Sequence, residues 1–250
     1  MNSQRKLGAI ILAAGKGTRM KSGKINKVAL LLADKPLILH SIHLLELMKF
    51  KQIVVVVGFA KESVKSVLLN SKVNFVEQKK RMGTAHAVKK AIEVIDDDIT
   101  DILVIQGDDS HFYNKKIIGE MITAHNISPS SLTFLTINAD NPFGLGRIVR
   151  SKHGKIVSII EEKDADEKIK KIKEVNPACY IFDVGFLKKF IGSVPRSTIT
   201  GEYYLTSLIN IALSNKKIVK AVPAGNVVWR GVNTKEELLE AERLYKKIIG

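Results

Sequence analysis

Short unbroken runs of apolar, mostly β-branched residues alternate with helix-like segments through the first half of this 250-residue chain. Residues 7–12, 53–58 and 102–105 are such runs, and between them apolar residues recur at helical spacing. A strand that is apolar on both faces is typical of a parallel sheet with helices packed on both sides. The alternation therefore predicts an α/β fold with a mostly parallel sheet.

The second half of the chain has a different pattern. Residues 147–150 and 155–160 flank a Lys152-His153-Gly154 turn and predict a β-hairpin. A capping box from Thr234 to Glu237 marks the start of a C-terminal helix. The remaining runs predict two strands, at residues 178–182 and 218–222, and three helical stretches, at residues 168–173, 185–191 and 203–214. Because we find no linker and no repeat, the pattern predicts one compact unit.

The composition excludes several classes of protein. Lys and Arg number 40 against 25 Asp and Glu, a formal net charge of +15, but the lysines are spread along the chain as on solvated helix faces. No aromatic residues are interleaved with them to stack bases, so we expect no nucleic-acid partner. One cysteine excludes a disulfide framework and a structural zinc cluster. The longest apolar run, residues 7–14, is too short to span a membrane, and no signal peptide is evident, so we expect a cytoplasmic protein with no membrane partner.

A glycine-containing loop, LAAGKGTRM, follows the first buried run. Gly15 and Gly17 allow the backbone to approach an anion closely, and successive amides can form a nest that binds phosphate. Lys16, Thr18 and Arg19 add a hydroxyl and positive charge beside it. The spacing matches neither a P-loop nor a dinucleotide-binding fingerprint. The combination favours phosphate binding over an unliganded basic turn.

The same loop resembles the signature of the sugar-1-phosphate nucleotidyltransferase family, and the likeness is nearest to the uridyltransferase domains of bifunctional N-acetylglucosamine-1-phosphate uridyltransferases. Further motifs of the family follow in order up to about residue 235. They lie at residues 27–28, 33–36, 78, 82–87, 106–108, 144–148, 160–165, 174–176, 201–206 and 231–233. Each motif alone is weak or moderate evidence, whereas the ordered set is strong.

The resemblance implies a Rossmann-like three-layer α/β/α nucleotidyltransferase fold, with a mixed, mostly parallel sheet and a smaller sugar-binding β region. It implies a single domain over residues 1–250, with a nucleotide-binding half at about 1–130, a sugar-binding half at about 131–235 and a C-terminal helix at 234–250. The implied partners are a nucleoside triphosphate and a sugar 1-phosphate, whose oxygen attacks the α-phosphorus and expels pyrophosphate. Such a transfer requires positioning and charge neutralisation rather than a protein nucleophile. UTP with N-acetylglucosamine 1-phosphate is the first expectation, and UTP or dTTP with glucose 1-phosphate or another sugar 1-phosphate is the alternative.

Roles of individual residues follow from the same resemblance. Arg19 and Lys27 are implied as catalytic, and Asp108 and Asn233 as ligands of Mg²⁺, a hard cation that takes few protein oxygens beside phosphate and water. The implied nucleotide-binding residues are Leu12, Ala13, Ala14, Gly15, Lys16, Gly17, Thr18, Gln78, Gly83 and Thr84. Ala13 and Ala14 are expected to lie against the base or ribose, and Gly83 to let the backbone meet the base. The implied sugar-binding residues are Gln106, Gly146, Glu161 and Asn176. From the residues alone, Lys27 is better interpreted as a surface lysine and Glu161 as an exposed acid, whereas for Asp108 a turn residue and a metal ligand are equally good interpretations.

The chain also departs from the family pattern. The turn before Lys27 is one residue longer and Asn26 replaces a proline, so Lys24 is a rival for the phosphate lysine. Gln106 replaces a tyrosine, and Pro177-Ala178 replaces Thr-Gly beside the expected sugar pocket. A catalytically silent nucleotide-sugar-binding regulator stays open as an alternative, although the four implied catalytic and metal residues argue against it. No hexapeptide repeats follow, so we expect no acetyltransfer activity, and the oligomeric state stays open.

Overall fold

The structure, a computed structural model, describes residues 5–17, 24–108, 112–224 and 231–249. The strands in this part of the chain are β1 (Leu7–Ala13), β2 (Leu31–Leu32), β3 (Lys35–Pro36), β4 (Gln52–Val57), β5 (Asn74–Glu77), β6 (Asp101–Gln106), β7 (Leu132–Asn138), β8 (Gly146–Arg150), β9 (Ile156–Ile160), β10 (Glu174–Asn176), β11 (Tyr180–Asp183) and β12 (Val219–Pro223). The α-helices are α1 (Leu37–Leu47), α2 (Lys61–Val67), α3 (Thr84–Ala91), α4 (Lys115–Ile127), α5 (Glu167–Lys170), α6 (Val184–Phe190), α7 (Ser207–Ser214) and α8 (Lys235–Ile249).

Within those ranges, one mixed sheet has the order β5-β4-β1-β6-β11-β7-β10-β8-β9, with β12 beside β7. The strands β5, β4, β1 and β6 are parallel, and β12 is parallel to β7. Strand direction reverses at β11, which is antiparallel to β6 and β7. Strands β10, β8 and β9 continue in antiparallel order. The predicted α/β fold with a mixed sheet is confirmed, and its antiparallel strands belong to the second half of the chain.

Both faces of the sheet are covered, because alternate residues of each buried strand face opposite sides. Ile10 and Leu12 of β1 pack in a core with α3, α6 and α7. Ile11 and Ala13 of the same strand pack in a second core with α1, α2 and α4. Every residue of β4 is buried. The sheet and the helices on its two faces form the expected three layers, with one core between each pair of layers.

Two predicted helices of the second half are shorter than expected. The charged stretch at 168–173 contains only one helical turn, α5, because the chain then enters β10 between β7 and β8. The helix expected over 203–214 begins at Ser207, because the backbone of Tyr203 pairs instead with residues 82–85. The predicted hairpin is confirmed as β8 and β9.

A buried polar cluster lies at the edge of the sheet where β6 begins. One carboxylate oxygen of Asp101 accepts hydrogen bonds from Arg5 at 2.5 Å and is 3.0 Å from His125 Nε2. Its other oxygen accepts from Thr100 at 2.8 Å, and His125 Nδ1 is 2.8 Å from the hydroxyl of Thr133. The cluster ties the start of β6 to α4, β7 and the chain before β1.

The cysteine of the chain, Cys179, is fully buried in the core beneath α4. Its Sγ atom lies 3.5 Å from the sulfur of Met121. Among the helices that the structure describes, none is long and apolar enough to cross a membrane.

Candidate functional site

The glycine loop after β1 forms one wall of a cleft of about 510 Å³ at the carboxyl ends of the parallel strands. Ligands of open α/β sheets bind at this end of the strands. Most of the residues expected to bind nucleotide line it: Leu12, Ala14, Gly15, Lys16, Gly17, Gln78, Gly83 and Thr84. Thr18 and Arg19 lie outside the described residues, so their roles stay predictions.

Ala13 does not line this cleft, contrary to the expectation that it lies against the base or ribose. Its side chain packs in the core on the opposite face of the sheet, with Ile11. Leu12 and Ala14 face the cleft, and successive residues of a strand alternate between faces. The correction therefore follows from the period of the strand.

The structure gives a reason for glycine at position 83 that differs from the expected contact with a base. Its φ is +101°, and a Cβ atom there would lie 2.4 Å from the backbone oxygen of Tyr203. The Tyr203 amide donates to Met82 O at 2.8 Å, and Ala85 N donates to Tyr203 O at 2.9 Å. Glycine is therefore required for two segments of the cleft wall to meet, and Gly83 still lines the cleft.

Asn26, which stands where the family has proline, holds the glycine loop in place. It is buried, and its amide nitrogen donates to the carbonyl oxygens of Ala13, Gly15 and Phe59 at 3.0, 3.3 and 2.7 Å. Its amide oxygen accepts from Val28 N at 3.2 Å. These bonds fix the segment that begins at residue 27 against the loop. The sequence indicated the departure from proline but gave no sign of this network.

Lys27 joins the two residues expected to hold metal. Its ammonium group forms an ion pair with Asp108 and donates to Asn233 Oδ1 at 3.0 Å, although Lys27 and Asn233 are 206 residues apart in sequence. Lys27 is 9% exposed and counts as buried, whereas its rival Lys24 is an exposed residue. A Cβ atom at Gly17 would lie 3.3 Å from the Cβ of Lys27, so the glycine loop passes directly beside this lysine. The geometry favours Lys27 over Lys24 as the lysine of the site.

The capping box predicted at Thr234 positions Asn233. Glu237 Oε2 accepts from the backbone N–H of Asn233 at 2.6 Å and of Thr234 at 3.2 Å. Glu237 N donates to Thr234 Oγ1 at 3.1 Å. Such reciprocal bonds satisfy amides that a helix start leaves unpaired. The start of α8 therefore fixes the amide oxygen opposite Asp108.

The donor set fits a hard divalent cation. Asp108 and Asn233 present a carboxylate and an amide oxygen to one cation, the ammonium of Lys27, so both oxygens face the same space. Mg²⁺ takes oxygen ligands and is commonly held by one or two protein groups beside substrate phosphates. Among the described residues no group of three or more His, Cys, Asp or Glu is arranged to hold a metal ion.

A second cleft of about 280 Å³ adjoins the first. It is lined by all four residues expected to bind sugar, Gln106, Gly146, Glu161 and Asn176, and also by Asp108 and Asn233. Thr84 and Gln106 line both clefts. Asp108 and Asn233, the residues expected to bind metal, thus line the same cleft as the residues expected to bind sugar.

Glu161 lines the second cleft and has a pKa shifted from its ordinary value. Loss of solvation raises the pKa of its carboxyl, and the negative charges of Asp164 and Glu202 act in the same direction. A hydrogen bond from Thr206 Oγ1 to Glu161 Oε1, at 2.6 Å, and the charge of Arg147 oppose this rise. A carboxylate or carboxyl in such surroundings suits hydrogen bonds with hydroxyl groups.

Asn176 is tied to the protein on both sides of its amide. Its nitrogen donates to Leu135 O at 2.8 Å, and its oxygen accepts from Ala178 N at 3.1 Å and from the hydroxyl of Tyr180. One amide hydrogen stays available for a ligand. Asn176 therefore shapes the cleft as well as lining it.

Several residues of the two clefts had no assigned role in the sequence. Arg81 and Glu202 line the first cleft, and Glu202, Tyr204 and Thr206 line the second. Arg81 lay in a lysine-rich cluster that is typical of a solvated face. The others belong to the motif at 201–206, whose match to the family was the available signal.

Comparisons with known proteins agree with this geometry. A family model described as Nucleotidyl transferase matches residues 8–248. A relative from Caldicellulosiruptor saccharolyticus, named Bifunctional protein GlmU, is 40% identical over 240 residues, covering 95% of this chain and 51% of the relative. Relatives of the same name from Francisella philomiragia and Syntrophomonas wolfei are 38% and 36% identical, each over 97% of this chain and over 52% and 54% of their own length. The chain spans about half the length of these relatives.

A solved structure shares the fold. It is a protein from Bacillus anthracis assigned as a glucose-1-phosphate thymidylyltransferase, in complex with sucrose. The match has a TM-score of 0.78 and 21% sequence identity, and covers 95% of this chain and 94% of the other. At this identity the likeness shows the fold alone.

Proposed function

This chain belongs to the nucleotidyl transferase family, and from that premise we propose that it joins a nucleoside monophosphate to a sugar 1-phosphate. The donor is UTP and the acceptor is N-acetylglucosamine 1-phosphate. The acceptor's phosphate oxygen forms a bond to the α-phosphorus of UTP, and the bond from that phosphorus to the bridging oxygen breaks. The products are UDP-N-acetylglucosamine and pyrophosphate.

The observation that supports this reaction best is the position of Lys27, which lies beside Gly17 of the first cleft and pairs with Asp108 and Asn233 of the second. One cleft is lined by a glycine loop suited to phosphates, and the other by polar groups suited to a sugar. A transfer between two phosphorylated substrates needs cationic groups at the point where the substrates meet. The chain brings an ammonium and two oxygen ligands to that point from three separate segments.

The roles of the described residues are proposed from their positions and from the motif likeness, and the role of Arg19 from the motif likeness alone. Backbone amides and Lys16 of the glycine loop hold the triphosphate, and Arg19 stabilises the departing pyrophosphate. Lys27 releases Asp108 and Asn233 when substrates bind and neutralises the phosphate oxygens between them. Asp108 and Asn233 would hold Mg²⁺, which when bound supplies further neutralisation of phosphate charge. Gln78 reads the base, while Gly146, Glu161 and Asn176 contact the sugar.

The choice of UTP and N-acetylglucosamine 1-phosphate rests on the motif likeness over most of the chain and on its similarity to three relatives named Bifunctional protein GlmU. Gln106 and Ala178, two departures from the family pattern, line the second cleft, which is the sugar cleft of this proposal. The sugar is therefore the part of the proposal that an assay must test most directly.

The first experiment measures pyrophosphate release with Mg²⁺ for UTP, dTTP, CTP and GTP, each against N-acetylglucosamine 1-phosphate, glucose 1-phosphate and other sugar 1-phosphates. We expect the pair of UTP and N-acetylglucosamine 1-phosphate to dominate. Turnover with another pair would contradict the proposed substrates and retain the reaction. No turnover by folded protein with any pair would contradict the reaction and favour a silent, nucleotide-sugar-binding regulator.

An Asp108→Asn variant tests the metal-ligand role. The substitution keeps the side-chain volume and removes the negative charge, so we expect turnover to fall by about 100-fold or more. Asp97→Asn is the matched control, because Asp97 is exposed and paired only at 3.9 Å with Lys188. Both variants are checked by thermal melting. Near-normal turnover of Asp108→Asn would remove Asp108 from the site.

A further inference from the structure

The side chain of Gln78 is held in one orientation by two acceptors. Gln78 is 5% exposed and follows β5. Its Nε2 atom lies 3.0 Å from the carbonyl oxygen of Gly83 and 2.9 Å from Nδ1 of His86. Because a backbone carbonyl can only accept, the atom beside it must be the amide nitrogen, which carries two hydrogens and no lone pair for bonding. Both hydrogens are thereby engaged.

The same geometry defines the state of His86. Nδ1 faces a donor, so it must be the acceptor nitrogen, and the ring is then neutral with its proton on Nε2. Burial and the ammonium groups of Lys90 and Lys89 lower the pKa of His86, although Glu93 acts in the opposite direction. The neutral form that the hydrogen bond requires is thus also the form that the surroundings favour.

The remaining polar atom of the Gln78 amide is its oxygen. Within the described part of the chain no hydrogen-bond partner is found for Oε1. Gln78 lines the first cleft, which is the nucleotide cleft of the proposed function. An amide oxygen accepts from an N–H group and repels another acceptor. Uracil and thymine carry N3–H, whereas N3 of cytosine has a lone pair instead.

We propose that His86 is a specificity-determining positioning residue, which keeps the Gln78 amide oxygen available to bases that carry N3–H and so excludes cytosine. The inference rests on the proposed function, because it requires the cleft to bind a nucleoside triphosphate. Gly83 O opposes rotation of the amide by itself, and His86 adds the second bond that an exchange of amide nitrogen and oxygen would break. His86 is not among the described residues that line the nucleotide cleft and instead lines a separate cavity of about 200 Å³, so we expect it to act on the base through Gln78.

The test compares a substitution that removes the acceptor at the position of Nδ1 with one that keeps an acceptor there. His86→Phe keeps a planar ring and removes the acceptor, whereas His86→Asn retains an amide oxygen near the position of Nδ1. His153→Phe, in the exposed turn between β8 and β9, is the control. Binding of UTP and of CTP is measured by calorimetry, and pyrophosphate release is measured with each nucleotide. Loss of one hydrogen bond corresponds to about a fivefold change in an equilibrium constant.

We expect the wild-type protein to bind and turn over UTP in preference to CTP. In His86→Phe the ratio of the UTP value to the CTP value should fall by roughly fivefold or more, for binding and for turnover. In His86→Asn and His153→Phe this ratio should stay at the wild-type value. An unchanged ratio in His86→Phe, with both nucleotides weakened equally, would overturn the role of His86 while the reaction stands. The same ratio loss in His86→Asn would also overturn it, because the acceptor atom would then be irrelevant. Wild-type protein without turnover on any nucleotide overturns the proposed function itself.

Discussion

Ala178 has a backbone conformation that a residue with a Cβ atom rarely adopts. Its φ is +54°, and its amide donates to Asn176 Oδ1 at 3.1 Å at the edge of the sugar cleft. The left-handed region costs a non-glycine residue roughly 1–2 kcal/mol. The family pattern has glycine at this position, so the substitution by alanine left a strain that the surrounding contacts must hold.

We predict that Ala178→Gly stabilises the protein by about 0.5–1 kcal/mol, because relief of the strain exceeds the entropy that glycine adds to the unfolded chain. Urea unfolding measures the change. The matched control is Ala91→Gly at the end of α3, where φ is −68° and glycine should cost about 1 kcal/mol or more. A loss of stability in Ala178→Gly would contradict the assignment of strain.

The family resemblance predicted most of the residues that line the two clefts, and the structure was needed to explain why each lies there. The alternation of a strand places Ala13 in the core, which the motif by itself did not indicate. Gly83 is required by the backbone of Tyr203, a contact between segments that are distant in sequence. The sequence indicated only that Asn26 replaces the proline of the family pattern, and not that its amide is buried and hydrogen-bonded.

At the scale of elements, the loop that enters β8 is held by a buried guanidinium. Arg147 is 1% exposed; it pairs with Glu162 and donates to the carbonyl oxygens of Leu145 and, at 3.3 Å, Lys170. Glu162 in turn accepts from Gly144 N at 3.2 Å. The loop at 144–146 is a wall of the sugar cleft, so Arg147 positions that wall without touching the cleft.

We predict that Arg147→Lys raises KM for the sugar 1-phosphate by about tenfold, because a misplaced wall weakens binding, and leaves KM for the nucleotide unchanged. Lysine keeps the charge and loses the planar set of donors. Steady-state kinetics with each substrate varied in turn measure the split. Arg150→Lys is the control on the same strand, since Arg150 pairs with Glu174 near the surface. Equal effects on both KM values would indicate a general loss of structure.

The long apolar strands could be predicted because burial on both faces leaves a continuous signal in the sequence. Strand β10 could not, because its three residues, Glu174–Asn176, form a strand only by pairing with β7 and β8. The start of α7 was misplaced for a similar reason, since Tyr203 is engaged by a distant segment. Local pattern predicts elements that are buried by their own composition, and it misses those that depend on neighbours.

At the scale of the whole molecule, different groups of polar residues lie at the two ends of the parallel strands. The carboxyl ends carry the candidate site, whereas the cluster around Asp101 lies where β6 begins. Burial alone would raise the pKa of Asp101, but hydrogen bonds from His125 and Thr100 and the charge of Arg5 outweigh it and hold the pKa below its ordinary value. The folded protein therefore favours the ionised carboxylate.

This shift predicts how stability depends on pH. The folded pKa lies below the unfolded value of about 3.9, so the contribution of Asp101 is complete above that value and is lost as pH falls through the folded pKa. We expect Asp101→Asn to be less stable at pH 7 and to show a shallower loss of stability below about pH 4. Melting curves from pH 3 to 8 measure both. Exposed Asp97→Asn should retain the wild-type slope, and an identical slope in Asp101→Asn would contradict the linkage.

The buried sulfur of Cys179 can report how often the core of the protein opens. It is fully buried beneath α4, and a thiol reagent reaches such an atom only during moments when the core opens. The chain has no other cysteine, so the rate of its modification counts these openings without an introduced label. A molecule that binds only the native state makes the openings rarer in proportion to its occupancy. Slowed modification therefore reports which nucleotides and sugar phosphates bind, including those that are never converted.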